Sequence, residues 1–358
     1  MRVLQLIDSL QTGGAERVAV NIANALVFKI EGSYLCATRA EGLLKESINK
    51  EVKYLFLNKK KTIDFKAIKL LNSFIKTNKI EIIHAHSTSF FLATIIKKLN
   101  KNVKIVWHDH YGNSEFLEVR SYKMLKKCSR YFSKIYSVNS PLEIWAKENL
   151  NCKEVKYLSN FAIKTKVDNV TILNGEAGKR IIHLANLREQ KDHFNLFEAF
   201  NKVVAQFPDW TLHCVGKDFK DVYSKAIQQK IELLKLDKKV FIYGSKPDVS
   251  NILKQSDIAV LSSKSEGLPI ALLEYGLAAL PTITTNVGNC NLVIANPNLG
   301  EIIPSGNGTV LSQTIINYIS NIESAKIKGI ALKKHIETHF SSEVISEILI
   351  NDYKSILT

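Results

Sequence analysis

Short apolar runs ending in small or polar residues alternate along the chain with stretches of helical period, a pattern that predicts strand, loop and helix in repeating order. VLQLID, KIEIIHAH, VKIVWHD and KIYSVN are strand candidates in the first half; RIIHLA, TLHCVG, KVFIYG, IAVLSS and PTITT are candidates in the second. Such an order points to parallel sheets with crossover helices. Between the halves, KYLSNFAIKTKVDNVTILNGEAGK is polar and lacks a strong period, so it reads as a linker with a boundary near residues 160 to 178. The last segment, SSEVISEILINDYKSIL, predicts an amphipathic helix capped by Ser341 or Ser342, with Val344, Ile348 and Tyr353 at helical spacing.

The strongest local signal is SEGLPIALLE, Ser265 to Glu274, which follows the strand-like DIAVLSS. Pro269 suits a first helical position, where its missing N–H costs nothing. The N–H groups of Gly267, Leu268 and Ile270 would point out of that helix start and, with the helix dipole, form an anion site suited to a phosphate. Glu266 and Glu274 stand on either side of that helix start. The helix rises roughly 7 to 8 Å from Pro269 to Glu274, about the reach from a diphosphate to the ribose of the same nucleotide.

A second helix start follows the first strand, where Gly13 and Gly14 precede the helical Val18, Ile22 and Ala25. It is not the Gly-x-Gly-x-x-Gly fingerprint of dinucleotide-binding domains, which argues against a dehydrogenase. In HLANLREQKDHFNLFEAF, Arg188 and Lys191 lie in a loop at a strand's carboxyl end, and Asp192 is placed to cap the next helix. Two cations there would neutralise a departing diphosphate. His108 ends the strand of KIVWHDHYG, where it could hold a substrate hydroxyl or move a proton. His84, His86, His108 and His110 lack a recognised ligand spacing, so no metal is expected, and His84 reads as structural.

The 358 residues, 46% hydrophobic, suffice for two full cores. Five scattered cysteines imply neither a disulfide framework nor a zinc site and fit a reducing cytoplasm. MRVLQLIDSL is too short an apolar stretch for a signal peptide, and no run approaches a membrane span, so a soluble or peripheral protein is expected. The net charge of +15 is unevenly placed: residues 1 to 160 carry 27 Lys and Arg against 14 Asp and Glu, residues 161 to 358 carry 22 against 20. Arg120, Lys123, Lys127, Arg130 and Lys134 recur at helical spacing beside Leu117, Met124, Leu125, Cys128, Tyr131, Phe132 and Ile135. This predicts a basic amphipathic helix, either packed on its own domain or resting at an anionic membrane surface.

Taken in order, TGGAER, IIHAHS, the strand ending WHD, YLSN, NLREQKDHFNLFEAF, VFIYG, and SEGLPIALLE followed by PTITTNVG resemble the retaining family-four glycosyltransferases of the GT-B fold over nearly the whole chain. The resemblance implies an α/β architecture of two Rossmann-like domains with parallel sheets facing across a cleft. Residues 1–165 would bind acceptor and 166–335 the nucleotide sugar, with 336–358 crossing back to the first domain. Residue by residue, it implies that Glu274 binds ribose and that Glu266 lies beside donor sugar and diphosphate. Gly14 offers its backbone to the diphosphate, His108 meets sugar or acceptor, and Lys191 binds phosphate. The family's arginine position is occupied here by Asn186, with Arg188 two residues later, and VGNCNLVI lacks a glutamate that the family often has. The implied reaction transfers a sugar from a UDP- or GDP-sugar with retention, without a metal or other cofactor.

A basic first domain suits a glycan or lipid-diphosphate-linked acceptor at the cytoplasmic membrane face, in synthesis of capsule, O-antigen or exopolysaccharide. An epimerase of the same fold would share the nucleotide cleft but leave the charge asymmetry unexplained. A non-catalytic binder would not need Arg188, Lys191, Glu266 and Glu274 together. No zinc finger or RNA-binding signature is present, so nucleic acid is not an expected partner.

Overall fold

The computed structural model of the chain describes residues 1–112, 114, 116–163 and 170–358. They form two compact units, Met1–Phe161 with Ser342–Thr358, and Ala162–Ser341. The expected boundary between residues 165 and 166 lies outside the described residues.

The first unit holds seven parallel strands, β1 (Arg2–Ser9), β2 (Gly32–Ala40), β3 (Lys53–Phe56), β4 (Ile82–His86), β5 (Lys104–Asp109), β6 (Lys134–Ser137) and β7 (Val155–Tyr157). Their order is β3-β2-β1-β4-β5-β6-β7. The second unit holds six, β8 (Arg180–Leu184), β9 (Thr211–Val215), β10 (Val240–Ile242), β11 (Ile258–Leu261), β12 (Thr282–Thr285) and β13 (Glu301–Ile303), ordered β10-β9-β8-β11-β12-β13. Each is a doubly wound α/β sheet of Rossmann type. Strand order reverses between β1 and β4 in one sheet and between β8 and β11 in the other, and ligands of such sheets bind beyond the strands' carboxyl ends at that reversal.

Central strands such as Thr211–Val215 and Ile258–Leu261 are buried at every residue, because helices cover both faces. In the first unit, Leu4, Ile83, Ile105 and Trp107 pack in one core with Leu71, Ile96 and Trp145 from flanking helices. In the second, Phe197 and Phe200 join Ile181, Leu212 and Val260.

The final helix, Ser342–Leu357, groups with the first unit. Its buried stripe is Ile345, Leu349 and Tyr353, while Val344 is exposed, so the packed face is turned from the expected one. Asp352 on this helix pairs with Lys134 at 3.1 Å and accepts the Tyr136 hydroxyl at 2.6 Å.

The basic helix expected across residues 120 to 134 is much shorter. Only Lys123–Ser129 is helical. Arg120 lies before it, buried against Asp109, and Lys134 belongs to β6, buried against Asp352. Both cations had partners that linear spacing does not reveal. Lys123, Lys126, Lys127 and Arg130 remain exposed, beside exposed Phe116, Val119 and Met124. Among the described residues, no helix is long and apolar enough to cross a membrane.

Candidate functional site

The loops that follow β8 and β11 meet at the strand-order reversal of the second sheet. The first brings Lys191 and the second Glu266, and the Lys191 ammonium lies 2.5 Å from a Glu266 carboxylate oxygen. That oxygen also accepts the Ser263 hydroxyl at 2.6 Å. Glu266 is buried and Lys191 half-buried, so the pair is screened from bulk water while the lysine keeps a face toward it. The backbone is tied as well: Ser262 Oγ donates to Lys191 O at 3.0 Å, and Lys264 N to Gln190 O at 2.8 Å.

Beyond Glu266 the chain turns into the helix Ile270–Leu277, with Pro269 as its N-cap (φ −72°, ψ 122°), one position earlier than expected. No side chain caps this helix start, and the positive end of the helix dipole there favours an anion. The helix is held in place by Tyr275, whose hydroxyl accepts from Leu184 N at 2.6 Å and donates to Val260 O at 3.3 Å. Glu274 stands half-buried in the helix's second turn.

A third loop completes the arrangement. Asn289 N donates to Gly267 O at 2.8 Å, and Gly288 lies so close that a Cβ there would stand 2.1 Å from Glu266 O, at a φ of +51°. Only glycine satisfies both conditions without strain. Thr285 Oγ1 supports the same segment by donating to Ser263 O at 2.7 Å.

Arg188 is exposed, its guanidinium 4.1 Å from the centre of the Phe219 ring. Asn186, at the expected arginine position, instead accepts from Lys217 N at 2.8 Å and fastens the loop after β8 to the one after β9. Asp192 does not cap the following helix by its side chain. It adopts a left-handed backbone (φ 51°) and its carboxylate pairs with Lys264 at 3.3 Å. The left-handed turn points the side chain away from the amides it was expected to meet.

In the first unit, the helix Gly14–Leu26 begins after Gly13, whose backbone is extended (φ −157°). A Cβ on Gly13 would strike the Glu16 carboxylate at 2.3 Å, whereas one on Gly14 would meet nothing within 4 Å. Gly14 therefore presents open backbone. His108, at the end of β5, is buried with no hydrogen-bond partner for either ring nitrogen among the described residues. Burial, then the neighbouring His110 and His86 rings, hold it well below the ordinary histidine range, so it is neutral. His84 accompanies it, joined through Nδ1 to the Tyr353 hydroxyl at 2.5 Å.

Sequence reasoning named Lys191, Glu266, Gly267, Leu268, Ile270 and Glu274, and the structure gathers them around one loop and helix start. It missed Ser263, Tyr275 and Gly288. The signal for Gly288 was a glycine inside a loop just after a buried strand, where close backbone approach is its usual reason.

The family described as Glycosyltransferase Family 4 matches residues 12–155, and that described as Glycosyl transferases group 1 matches residues 168–334. The chain is 28% identical over 170 residues to the N-acetyl-alpha-D-glucosaminyl L-malate synthase of Bacillus anthracis, a match spanning 48% of this chain and 44% of that protein. It is 25% identical to the UDP-Gal:alpha-D-GlcNAc-diphosphoundecaprenol alpha-1,3-galactosyltransferase of Escherichia coli, over 75% of this chain and 73% of the relative. Among solved structures, HepE of Anabaena in complex with UDP and glucose superposes with a TM-score of 0.82 at 16% identity, covering 99% of this chain and 100% of the other. That likeness is one of fold.

Proposed function

From a chain that belongs to the family-four glycosyltransferases and has the GT-B fold, we propose a retaining, metal-independent transfer of a sugar from a UDP- or GDP-sugar to a glycan or lipid-linked acceptor. The observation that carries this reading is the Lys191–Glu266 pair beside the open helix start at Ile270.

The diphosphate rests on the amides of Gly267, Leu268 and Ile270, where the helix dipole favours negative charge. Lys191 turns from Glu266 to the phosphates and neutralises the charge that develops as the sugar departs. Arg188, long and exposed, adds a second cation. These groups supply what a divalent cation would otherwise provide. Glu266, released from Lys191 but still held by Ser263, stands by the donor sugar, and Glu274 takes the ribose hydroxyls. In the first unit, Gly13 and Gly14 open a second helix start whose backbone suits an anion. The leaving phosphate assists attack on its own face, which retains the anomeric configuration without a covalent nucleophile.

The acceptor reading rests on charge and on a relative. The galactosyltransferase from Escherichia coli acts, by its name, on a diphosphoundecaprenol-linked sugar. Here the exposed Phe116, Val119 and Met124 lie beside Lys123, Lys126, Lys127 and Arg130, a mixture suited to an anionic membrane surface. The protein then works at the inner face of the cytoplasmic membrane in the synthesis of a bacterial surface polysaccharide.

A thermal-shift panel of UDP- and GDP-sugars, followed by NMR of the product's anomeric configuration in the presence of EDTA, tests the proposal. Stabilisation by one nucleotide sugar and a retained configuration are expected. An inverted product, or activity abolished by EDTA and restored by magnesium, overturns the mechanism.

A further inference from the structure

The segments IIHAH and WHDH each carry histidines two positions apart, and the two-residue period of a strand sends both members of each pair to one face. Register then brings the pairs together, since His86 stands opposite His108 across β4 and β5. The result is a column of imidazoles at the carboxyl end of the first sheet. His84 and His86 have ring centres 4.7 Å apart, His84 and His108 5.3 Å, and His108 and His110 4.2 Å.

The available nitrogens are the informative feature. One ring nitrogen from each of His84, His86 and His108 lies within 4.8 Å of the others, and all three side chains are buried. Both His108 nitrogens and His84 Nε2 have no partner among the described residues. Leaving three such atoms unpaired in the interior is costly unless something occupies the space between them.

From this geometry we propose that His84, His86 and His108 form a binding site for a divalent transition metal of the zinc class. Imidazole is a favoured ligand of zinc, and three of them with one open position make an ordinary coordination set. The outer partners are already in place. Tyr353 Oη, at 2.5 Å, receives the Nδ1–H of His84 in the tautomer that leaves Nε2 free for the ion. Gln5 Oε1 accepts from His86 Nε2–H at 2.9 Å, which fixes the lone pair on His86 Nδ1. At present that lone pair accepts from the half-buried His110 at 3.0 Å, the member of the column nearest solvent, and His110 yields it as the ion enters. Metal–nitrogen bonds of about 2.0–2.1 Å place tetrahedral ligand atoms about 3.4 Å apart, so the rings close by roughly one ångström on binding.

The test reads binding, independently of turnover. The untagged full-length protein, stripped with chelator, is titrated with cobalt(II) and then zinc. One equivalent of cobalt is expected, with the intense visible bands of a tetrahedral site that zinc displaces. His84→Gln and His86→Gln should each weaken binding at least tenfold, and Tyr353→Phe by roughly tenfold through loss of the orienting hydroxyl. His335→Gln should leave binding unchanged; it removes one member of the His335–His339 pair on the helix Ile322–His339, the competing explanation for a histidine-bound metal. X-ray absorption of the zinc-loaded wild-type protein, which needs no variant to fold, should show three imidazole ligands. No stoichiometric binding, binding lost with His335→Gln, or a mainly oxygen coordination shell overturns the proposal.

Discussion

Arg120 grips both carboxylate oxygens of Asp109, through Nη1 at 2.7 Å and Nη2 at 2.8 Å, with the two side chains 7% and 1% exposed. Its guanidinium is also 4.1 Å from the centre of the Trp145 ring and 4.5 Å from that of Tyr111. The pair pins the segment after β5 back onto the strand that carries His108. Burial pushes the Asp109 carboxyl above its ordinary range and Arg120 opposes that rise, so the charge depends on its partner.

Arg120→Met should therefore cost about 3–5 kcal/mol in stability, because it strands a buried charge. The double variant Asp109→Leu/Arg120→Met should cost less than the two single losses added together. Urea denaturation of the full double-mutant cycle checks this, and an additive result would mean the two side chains do not act as a pair.

Lys191→Ala should lower the rate of transfer by roughly 10²–10³ while leaving the fold intact, since its ammonium is needed where charge develops. Glu266→Gln keeps the hydrogen bond from Ser263 Oγ but removes the charge, and a comparable loss is expected. Steady-state kinetics with matched denaturation curves decide the matter, and retained turnover in both variants would remove these residues from the site.

Gly288→Ala should be among the most damaging single-methyl additions in the second unit. It combines a positive φ with a contact on the backbone of Glu266 and Gly267, so about 1–3 kcal/mol of stability should be lost together with nucleotide binding. Gly178→Ala is the control: it has a positive φ of 88° but nothing within 4 Å of the added carbon. If the two variants bind nucleotide equally well, the close approach at Gly288 has no functional weight.

Asp248 gives the protein a specific acid sensitivity. Burial alone would raise its pKa, but hydrogen bonds from Thr171, Asn251 and Val170 outweigh that and bring it to about 2. A carboxylate whose folded pKa lies below its unfolded value adds stability that is complete above the unfolded value near 3.8 and lost as pH falls toward 2. Asp248→Asn should flatten that part of the stability profile, measured by thermal melts between pH 2 and 5. An unchanged acid slope would locate the sensitivity elsewhere.

The strands most easily read from the sequence are those covered on both faces, such as Ile258–Leu261, because full burial writes an uninterrupted apolar run. Four strands were overlooked. Lys53–Phe56, Val155–Tyr157 and Glu301–Ile303 stand at sheet edges and span three or four residues, too few to set a period. Gly32–Ala40 is long, central and mostly buried, but its GSYLCATRA mixes small and polar residues among the apolar ones and writes no uninterrupted apolar run. The Lys191 and Glu266 positions were legible because each lies within a local motif, whereas Ser263 and Gly288 act through contacts that only the turn after β11 creates. Charge spacing misled for a related reason. Arg120 and Lys134 fit a helical stripe, yet the partners that bury them, Asp109 and Asp352, lie on a strand before the stripe and on the final helix.

That final helix makes the second unit an insertion within the first. The hydrogen bond between His84 and Tyr353 joins positions 269 apart in sequence, and the stripe of Ile345, Leu349 and Tyr353 covers a sheet translated long before. During synthesis the first sheet must wait, partly uncovered, while the whole second unit leaves the ribosome. Its folding is thus finished last although its first strand is made first, and a chain stopped before Ser342 would damage the unit at its opposite end.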